Sequence, residues 1–347
     1  MAGKAKPTIR DVAAAAAVYP STVSAVLGGK TYMRISRARR AKVHRIAAEL
    51  GYKPNRQAVG LRRSVLPVIG VFLPDESSYL GYDLVAGLSE GANELELPIS
   101  FHFGLTLDAY HQFIDSAIDR RNTAIITYDP LEWKGSDSKE VVQKLAAYRD
   151  AGGRITSINP HTPTMMGYPS VGMDDQEGGR LAAEHLASRG CRLALALGYA
   201  GRIFQLRLRG FRNRLAECGL PFAVIESQGV PRFSVAHLAE ELDRRLADAP
   251  RPVGLFCSHS RQAQAVVGYA LDRQLALGRA VHVVAYDRGP AWGEYRPLPR
   301  VIQPFREMGR IAARWQAEML ADKTPTPLWL KPQLVVPKEG DENETFA

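Results

Sequence analysis

Basic side chains are concentrated in the first 63 residues. This segment holds 14 Lys and Arg against two Asp and Glu, so its net charge is +12. The whole chain has 45 basic and 36 acidic residues, which leaves 31 basic and 34 acidic residues for the remainder. A segment with so many unopposed cations favours a polyanionic partner, and the phosphate backbone of nucleic acid is the usual one. Nucleic acid is therefore the first partner to expect, with a solvated basic tail or a membrane-surface patch as the alternatives.

Short side chains lie in the middle of this basic segment. After Pro20, which suits the first position of a helix, one helical face carries only small residues, namely Ser21, Thr22, Ser24 and Ala25. Such a face lets a helix backbone approach the floor of a DNA groove, where a hydroxyl can hydrogen-bond a base edge and a methyl can contact thymine. Gly28 and Gly29 end the run.

Two further helices must hold this one in place. The first begins at Thr8, with Asp11 completing an approximate capping box. The third begins at Ser36 and exposes a series of basic residues. The predicted buried positions are Ile9, Val12, Ala13 and Ala16 in the first helix and Val43, Ile46, Ala47 and Leu50 in the third. Two helices joined by a tight turn, the second with small polar residues outside, are typical of a helix-turn-helix, whose second helix enters the major groove.

From Pro67 onward the pattern changes to short apolar runs separated by amphipathic stretches. The runs predict buried parallel strands at Val68–Leu73, Ile99–Phe103, Ala124–Thr127, Arg154–Ile158, Leu193–Leu197, Val253–Cys257 and Val281–Tyr286. Helices are predicted at Tyr82–Leu95, Lys139–Ala151, Gly178–Ser188, Arg207–Cys218, Val235–Ala247 and Arg261–Leu275. Strands that alternate with helices form βαβ units, so this part of the chain is expected to be an α/β domain with parallel sheets.

Several function classes receive no support from the sequence. The three cysteines have no metal-ligand spacing and suggest no disulfide framework, the eight histidines show no metal spacing, and no cofactor is expected. Neither a signal peptide nor an apolar run of about 20 residues is found, which predicts a cytoplasmic protein without a membrane span. There is no G-x-G-x-x-G, P-loop or G-x-S-x-G motif, and Ser258, His259 and Ser260 are chain neighbours that seldom face each other as nucleophile and base, so an enzyme is not expected.

The N-terminal residues resemble the LacI/GalR family of bacterial repressors. The family signature is followed in order and spacing by Thr8 to Ala13, Thr22-Val23-Ser24 with Val26-Leu27, Ile35-Ser36, Arg40, Val43, Glu49 to Tyr52 and Pro54-Asn55. The resemblance implies a helix-turn-helix head at residues 1–53 and a hinge at residues 54–65 that becomes helical on operator DNA. It places Leu61 where the family wedges a leucine into the minor groove, and an ordinary packing leucine is the alternative.

The resemblance also implies which residues contact DNA. They are Thr8, Pro20, Ser21, Thr22, Ser24, Ala25, Arg34, Ser36, Asn55, Arg56, Leu61 and Arg62. The chain departs from the family on this surface, with Ala17 at a turn where Gly or Asn is usual and Tyr19 where a serine usually caps the second helix. Of the main base-contacting positions only Ser21 can hydrogen-bond a base edge, so specificity is expected to depend more on the wedge and on DNA deformability.

The resemblance continues, less densely, through residues 66–347. It is carried by Val68-Ile69-Gly70, Pro74-Asp75, Gly87, Val171, Asp174, Gly178-Gly179, Arg207, Gly210-Phe211, Tyr286-Asp287 and Gln303-Pro304, with Asp175 where Asn is usual. It implies a two-lobed fold like that of periplasmic sugar-binding proteins, with a ligand between the lobes. The positions implied for the ligand are Ser78, Tyr79, Asn159, Arg207, His259 and Asp287. The forked guanidinium of Arg207 and the side-chain groups of Asp287 and Asn159 can each engage neighbouring hydroxyls, which suits a polyhydroxylated ligand.

Three alternatives remain open for this ligand site. In the first, Arg207 and Asp287 form an ion pair between the lobes without a ligand. A departure from the family bears on the same site, because His259-Ser260 replace an Asn-Asp that is frequent there. The ligand could be nucleoside-type and act as a corepressor, or the chain could be a cytoplasmic solute-binding protein, against which the basic head argues.

The polar, acidic tail has no leucine heptads, so the expected assembly is a homodimer on a near-palindromic operator, associated with the nucleoid when bound.

Overall fold

The structure is a computed structural model that describes residues 7–27, 35–50, 52, 68–73, 79–104, 106–119, 124–128, 138–160, 163–199, 201–227, 234–287 and 298–337. The chain divides into two compact units, Met1–Leu66 and Pro67–Ala347. The finer boundaries of the hinge, at residues 54 and 65, stay a prediction.

Three helices make up the described part of the smaller unit: α1 (Ile9–Ala16), α2 (Pro20–Leu27) and α3 (Arg37–Glu49). Their apolar stripes meet in one small core, formed by Val12, Ala13, Ala16, Val23, Val26, Val43, Ile46 and Ala47. Leu50 was predicted to belong to this core, and that prediction was wrong. The residue lies just past the end of α3 and is 40% exposed.

The larger unit contains two six-stranded sheets. The first sheet has the strand order β11-β5-β4-β3-β1-β2, and all of its pairs are parallel. Its strands and the helices that accompany them are β1 (Ile69–Leu73), α4 (Tyr79–Glu94), β2 (Ile99–Phe103), α5 (Leu107–Asp119), β3 (Ala124–Tyr128), α6 (Ser138–Asp150), β4 (Arg154–Ile158), α7 (Pro163–Met166), β5 (Ser170–Met173), α12 (Phe305–Leu320) and β11 (Leu328–Leu330).

The second sheet has the order β12-β10-β9-β8-β6-β7, with only the β10–β12 pair antiparallel among the pairs described. Its elements are α8 (Asp175–Ser188), β6 (Leu193–Tyr199), α9 (Arg202–Glu217), β7 (Phe222–Ser227), α10 (Val235–Leu246), β8 (Val253–Cys257), α11 (Ser260–Asp272), β9 (Val281–Tyr286), β10 (Arg300–Ile302) and β12 (Gln333–Val335). The chain passes between the sheets after β5, after β10 and after β11, so each lobe is built from separated parts of the sequence.

Helices cover both faces of each sheet, so successive residues of a strand are buried in different apolar clusters. In β1, Val71 and Leu73 belong to the largest apolar cluster, whereas Phe72 packs with Tyr110 and Phe113 of α5 on the opposite face. The same alternation holds in β8, where Leu255 and Phe256 lie in different clusters. This double coverage explains why the strands are continuous apolar runs, as the sequence predicted.

Glycines allow two helix pairs to pack unusually closely. A Cβ on Gly87 of α4 would lie 1.9 Å from the Arg306 carbonyl oxygen of α12. In the other lobe, a Cβ on Gly179 of α8 would lie 1.8 Å from the Arg207 carbonyl oxygen of α9, and one on Gly210 would lie 1.8 Å from the Gln176 carbonyl oxygen. The backbones touch at these points, so the glycines fix where Arg207 sits relative to α8.

The predicted α/β class with parallel sheets is confirmed, and β2, β4, β8 and β9 have the predicted bounds. The short strands β5, β10 and β11 and the six-residue strand β7 were not predicted. Within the described ranges, no helix has the length and apolar character that crossing a membrane requires. The same ranges contain no group of three or more His, Cys, Asp or Glu side chains suited to a metal ion.

Candidate functional site

The outer face of α2 is the candidate DNA-contacting surface. Pro20 and Ser21 are exposed and Thr22 and Ser24 are partly exposed, as the sequence predicted. Ala25 was predicted to share this face, and the structure corrects that prediction because the residue is only 2% exposed. Five positions after Pro20, a helix has turned far enough to bring Ala25 to the side that packs in the small unit. Its methyl group is therefore part of the core.

The capping predictions are confirmed. The Thr8 hydroxyl accepts a hydrogen bond from the Asp11 backbone N–H at 3.4 Å, and the Asp11 carboxylate accepts from the Thr8 backbone N–H at 2.6 Å. The Ser36 hydroxyl accepts from the Arg39 N–H at 3.3 Å. Thr8 and Ser36 thus have a structural function, whatever they contribute to DNA binding.

Ala17 adopts the left-handed conformation that the missing glycine would favour, with φ 54° and ψ 48°. This conformation brings the Cβ of an L-residue close to the following carbonyl group. We expect Ala17→Gly to stabilise the three-helix unit by about 1 kcal/mol, since glycine removes that strain. Amide hydrogen exchange of α1 and α3 in the full-length protein measures the change. Ala14→Gly, at an exposed position within α1, is the matched control and should destabilise the unit by about 1 kcal/mol.

Five predicted DNA contacts, Arg34, Asn55, Arg56, Leu61 and Arg62, lie outside the described residues, as does Ser78 of the predicted ligand set. For Tyr79 the structure describes only the backbone, as the first residue of α4. The roles of these residues stay predictions.

A buried charged cluster is centred on Arg207 of α9. Its Nε donates to Asp175 Oδ1 at 2.8 Å, and its Nη1 donates to the Ser258 carbonyl oxygen at 2.6 Å. The guanidinium carbon lies 3.6 Å from the centre of the Tyr286 ring. Arg207 and Asp175 are both more than nine-tenths buried, so they form a desolvated ion pair. An ion pair between Arg207 and Asp287 was the alternative to a ligand site, whereas the hydrogen-bonded carboxylate partner of Arg207 is Asp175.

Asp287 follows β9 and belongs to the same cluster. Its carboxylate accepts hydrogen bonds from the Gln303 side chain at 2.5 Å and from the Gln303 backbone N–H at 3.4 Å. Burial raises the pKa of Asp287 to about 6, while the positive charge of Arg207 and the Gln303 hydrogen bonds oppose that rise. Asp287 therefore lies close enough to Arg207 for their charges to interact.

Asn159 occupies the equivalent position in the other sheet. It follows β4, has φ 47°, and its side-chain oxygen accepts from the Met173 N–H at 3.2 Å. Asp287 has φ 62°, and in both cases the backbone N–H bonds the neighbouring strand, to Val171 for Asn159 and to Val301 for Asp287. The two residues thus join adjacent strands at the carboxyl ends of the two sheets, where ligands of open α/β folds bind.

His259 begins α11 beside the cluster. Its Nδ1 accepts from the Arg261 backbone N–H at 3.4 Å, and its ring lies 5.3 Å from that of Tyr199. Burial, together with the positive charges of Arg207 and Arg261, lowers the pKa of His259 to about 4. His259 is therefore neutral near pH 7 and can act as a hydrogen-bonding group without adding charge.

The shifts of His259 and Asp287 predict opposite contributions to stability. The folded pKa of His259 lies below its unfolded value of 6.5, so its contribution to the free energy of unfolding rises as the pH increases from about 4 to 6.5. The folded pKa of Asp287 lies above 3.8, so its contribution falls between about pH 4 and 6. Relative to the unsubstituted protein, His259→Asn should lose stability as the pH rises through this range, and Asp287→Asn should gain it. Urea unfolding at pH 4.5, 5.5 and 6.5 tests both signs.

Two residues were not among the predicted site residues. Asp175 is the partner of Arg207, and the signal that could have identified it was the acid at a position where the family usually has Asn. Tyr19, directly before α2, is 79% exposed beside the candidate DNA-contacting face. The sequence feature that could have identified Tyr19 is a large side chain at a position where the family usually has a short capping residue.

Comparison with protein families assigns both parts of the chain. Residues 8–55 match the model of bacterial regulatory proteins of the lacI family, and residues 183–338 match the model of the periplasmic binding protein-like domain. The chain is 28% identical over 344 residues to the HTH-type transcriptional regulator DegA of Bacillus subtilis, covering 95% of this chain and 97% of that protein. It is 27% identical over 310 residues to the ribose operon repressor of the same organism, covering 88% and 90%.

Solved structures show the same fold. The lac repressor dimer bound to operator and the anti-inducer ONPF is 23% identical, with a TM-score of 0.68 over 95% of this chain and 97% of that one. The CelR–cellobiose complex is also 23% identical, with a TM-score of 0.64 over 96% and 100%. The helix-turn-helix head thus matches bacterial regulatory proteins of the lacI family, the two parallel-sheet lobes have the periplasmic binding protein-like fold, and the relatives named above are similar along nearly their whole length.

Proposed function

We propose that this protein is a repressor of transcription whose affinity for operator DNA is controlled by a small ligand, a sugar or sugar derivative, bound between the two lobes. The observation that carries the proposal is the head. Its three helices present a face of short side chains within the segment that matches the lacI family model, and the first 63 residues carry a net charge of +12. The remaining residues form the effector domain.

The DNA-binding step uses two kinds of contact. Ser21, exposed on α2, hydrogen-bonds a base edge, while the surrounding Lys and Arg residues neutralise phosphates and set the orientation of the head. Because Ala25 is buried, direct base contacts are few. Leu61 therefore supplies much of the specificity by wedging open a flexible central base step, which costs a few kcal/mol of stacking and is offset by the contacts that bent DNA permits.

The ligand binds at the carboxyl ends of the strands. Arg207, Asp287 and His259 lie together there, and Asn159 occupies the corresponding edge of the other sheet. Single N–H donors and carboxylate oxygens match the neighbouring hydroxyls of a sugar. Known relatives with sugars in their names, such as the ribose operon repressor and the CelR–cellobiose complex, support this ligand class.

Ligand and operator are coupled through the arrangement of the lobes. A ligand that binds one arrangement more tightly shifts the population toward it, and DNA binding shifts the same equilibrium by the reciprocal amount. A homodimer places two heads on the two halves of a near-palindrome, so a change between the lobes alters the spacing of both heads at once.

The test is selection of bound sequences from a randomised duplex library with the full-length protein and with Leu61→Ala. We expect a near-palindrome with a flexible central step for the unsubstituted protein, and a relaxed preference at that step for the variant. Leu271→Ala, which changes an exposed leucine of the effector domain, should select the same sequence and is the control. The absence of any sequence preference, with and without a panel of sugars and nucleosides, would contradict the proposal.

A further inference from the structure

The guanidinium of Arg207 is already engaged on three sides. Its Nε donates a hydrogen bond to Asp175 Oδ1 at 2.8 Å, and its Nη1 donates one to the Ser258 carbonyl oxygen at 2.6 Å. The Tyr286 ring covers one face of the guanidinium, with 3.6 Å between the guanidinium carbon and the ring centre. A carboxylate or phosphate is normally bound by two neighbouring N–H groups of an arginine. Each such fork of Arg207 includes Nε or Nη1, so an anionic ligand must compete with a contact that the protein already makes.

The charge of the cluster opposes anions as well. One buried guanidinium faces two buried carboxylates, Asp175 and Asp287. The Arg207–Asp175 ion pair is neutral overall, Asp287 is charged above about pH 6 and His259 is uncharged there, so these four side chains sum to −1 near pH 7. Charges in a buried site are weakly screened, which makes the repulsion of a further negative charge strong there.

Two polar atoms of the cluster have no hydrogen-bond partner among the described residues: the second carboxylate oxygen of Asp175 and the hydroxyl of Tyr286. Both belong to residues that are at least nine-tenths buried, and the Tyr286 hydroxyl lies against Gly178 on the first turn of α8. A buried acceptor without a donor is costly. The carboxylate oxygen can only accept, so the complementary group is a hydroxyl or an ammonium group and not a phosphate or carboxylate.

We infer that Asp175 makes this site selective for an uncharged polyhydroxylated ligand or an amino sugar, and against phosphorylated or carboxylated sugars. The inference rests on the proposed function, in that the cluster is taken to be the ligand site. It goes further by assigning specificity to one acid that stands where the family usually has a neutral residue. Asp175 selects among ligands through its negative charge and through its hydrogen bond to Arg207 Nε, and not through the shape of the site.

The experiment is isothermal titration of the full-length protein with matched sugars. Each set contains a neutral pentose or hexose, its phosphate, its carboxylated form and its amino form. We expect the best neutral or amino sugar to bind at least about tenfold more tightly than its anionic counterparts, as expected for one extra charge pair in a weakly screened site. In Asp175→Asn, which keeps an acceptor for Arg207 Nε, this preference should shrink about tenfold while the neutral sugar still binds.

Asp272→Asn, at an exposed position at the end of α11, is the control and should leave the preference unchanged. An anionic sugar that binds more tightly than its neutral parent overturns the inference but leaves the proposed function intact, and this comparison needs only the unsubstituted protein. An unchanged preference in Asp175→Asn has the same meaning. If no sugar of any set binds, the sugar assignment fails, and the inference fails with it.

Discussion

Replacing Arg207 with methionine is expected to lower the free energy of unfolding of the effector domain by about 3–5 kcal/mol, the usual cost of removing one partner from a buried ion pair. Methionine fills much of the space over the Tyr286 ring but provides no charge. Asp175 and Asp287 then remain buried without a cation, and the Ser258 carbonyl loses its donor. Urea unfolding of the full-length protein at pH 7.5, followed by tryptophan fluorescence, measures the loss.

The same substitution has two internal controls. Because protonation removes the charge of an unpaired carboxylate, Arg207→Met should lose less stability at pH 5 than at pH 7.5. The double variant Arg207→Met, Asp175→Asn should recover part of the loss, since the two residues are in contact and their effects are not additive. Equal effects at both pH values and a double variant no better than the single one would show that the ion pair does not compensate the buried charges.

Gly179→Ala is the second substitution with a large expected effect. The new methyl group would lie 1.8 Å from the Arg207 carbonyl oxygen and 2.9 Å from the Phe211 backbone nitrogen. Neither atom can move unless α9 moves, so α8 and α9 must separate and lose packing contacts. We expect destabilisation of about 2–3 kcal/mol, in the upper range for overpacking of a well-packed core. The displacement also moves Arg207, so the affinity for a ligand bound at the cluster should fall.

Gly268→Ala is the matched control for this prediction. Gly268 lies within α11, and a methyl group there has no atom within 4 Å. Alanine removes the backbone freedom of a helical glycine, so this variant should gain about 0.5–1 kcal/mol. The two identical substitutions therefore have opposite expected signs in thermal unfolding. A loss of less than 0.5 kcal/mol for Gly179→Ala would mean that the helices are not packed as closely as the structure shows.

Local sequence patterns were sufficient to predict the α/β class and most of the central strands. Apolar runs such as Val253–Cys257 predicted central strands with the correct bounds, because strands covered on both faces have no polar residues to interrupt them. The caps at Thr8 and Ser36 were equally predictable, since each is a local contact between residues three apart. The charge difference between the first 63 residues and the remainder indicated the nucleic-acid partner without any structure.

The short strands and the contacts of the site depend on long-range packing and were visible only in the folded protein. Strands of three or four residues, such as Ser170–Met173 and Arg300–Ile302, carry too little pattern to be recognised, and their neighbours in the sheets define them. The contact between Arg207 and Asp175 joins residues 32 positions apart and depends on the close approach of α8 and α9 at Gly179. Composition and periodicity could nominate Arg207, but which carboxylate neutralises it depends on helix packing, a long-range property that no local pattern encodes.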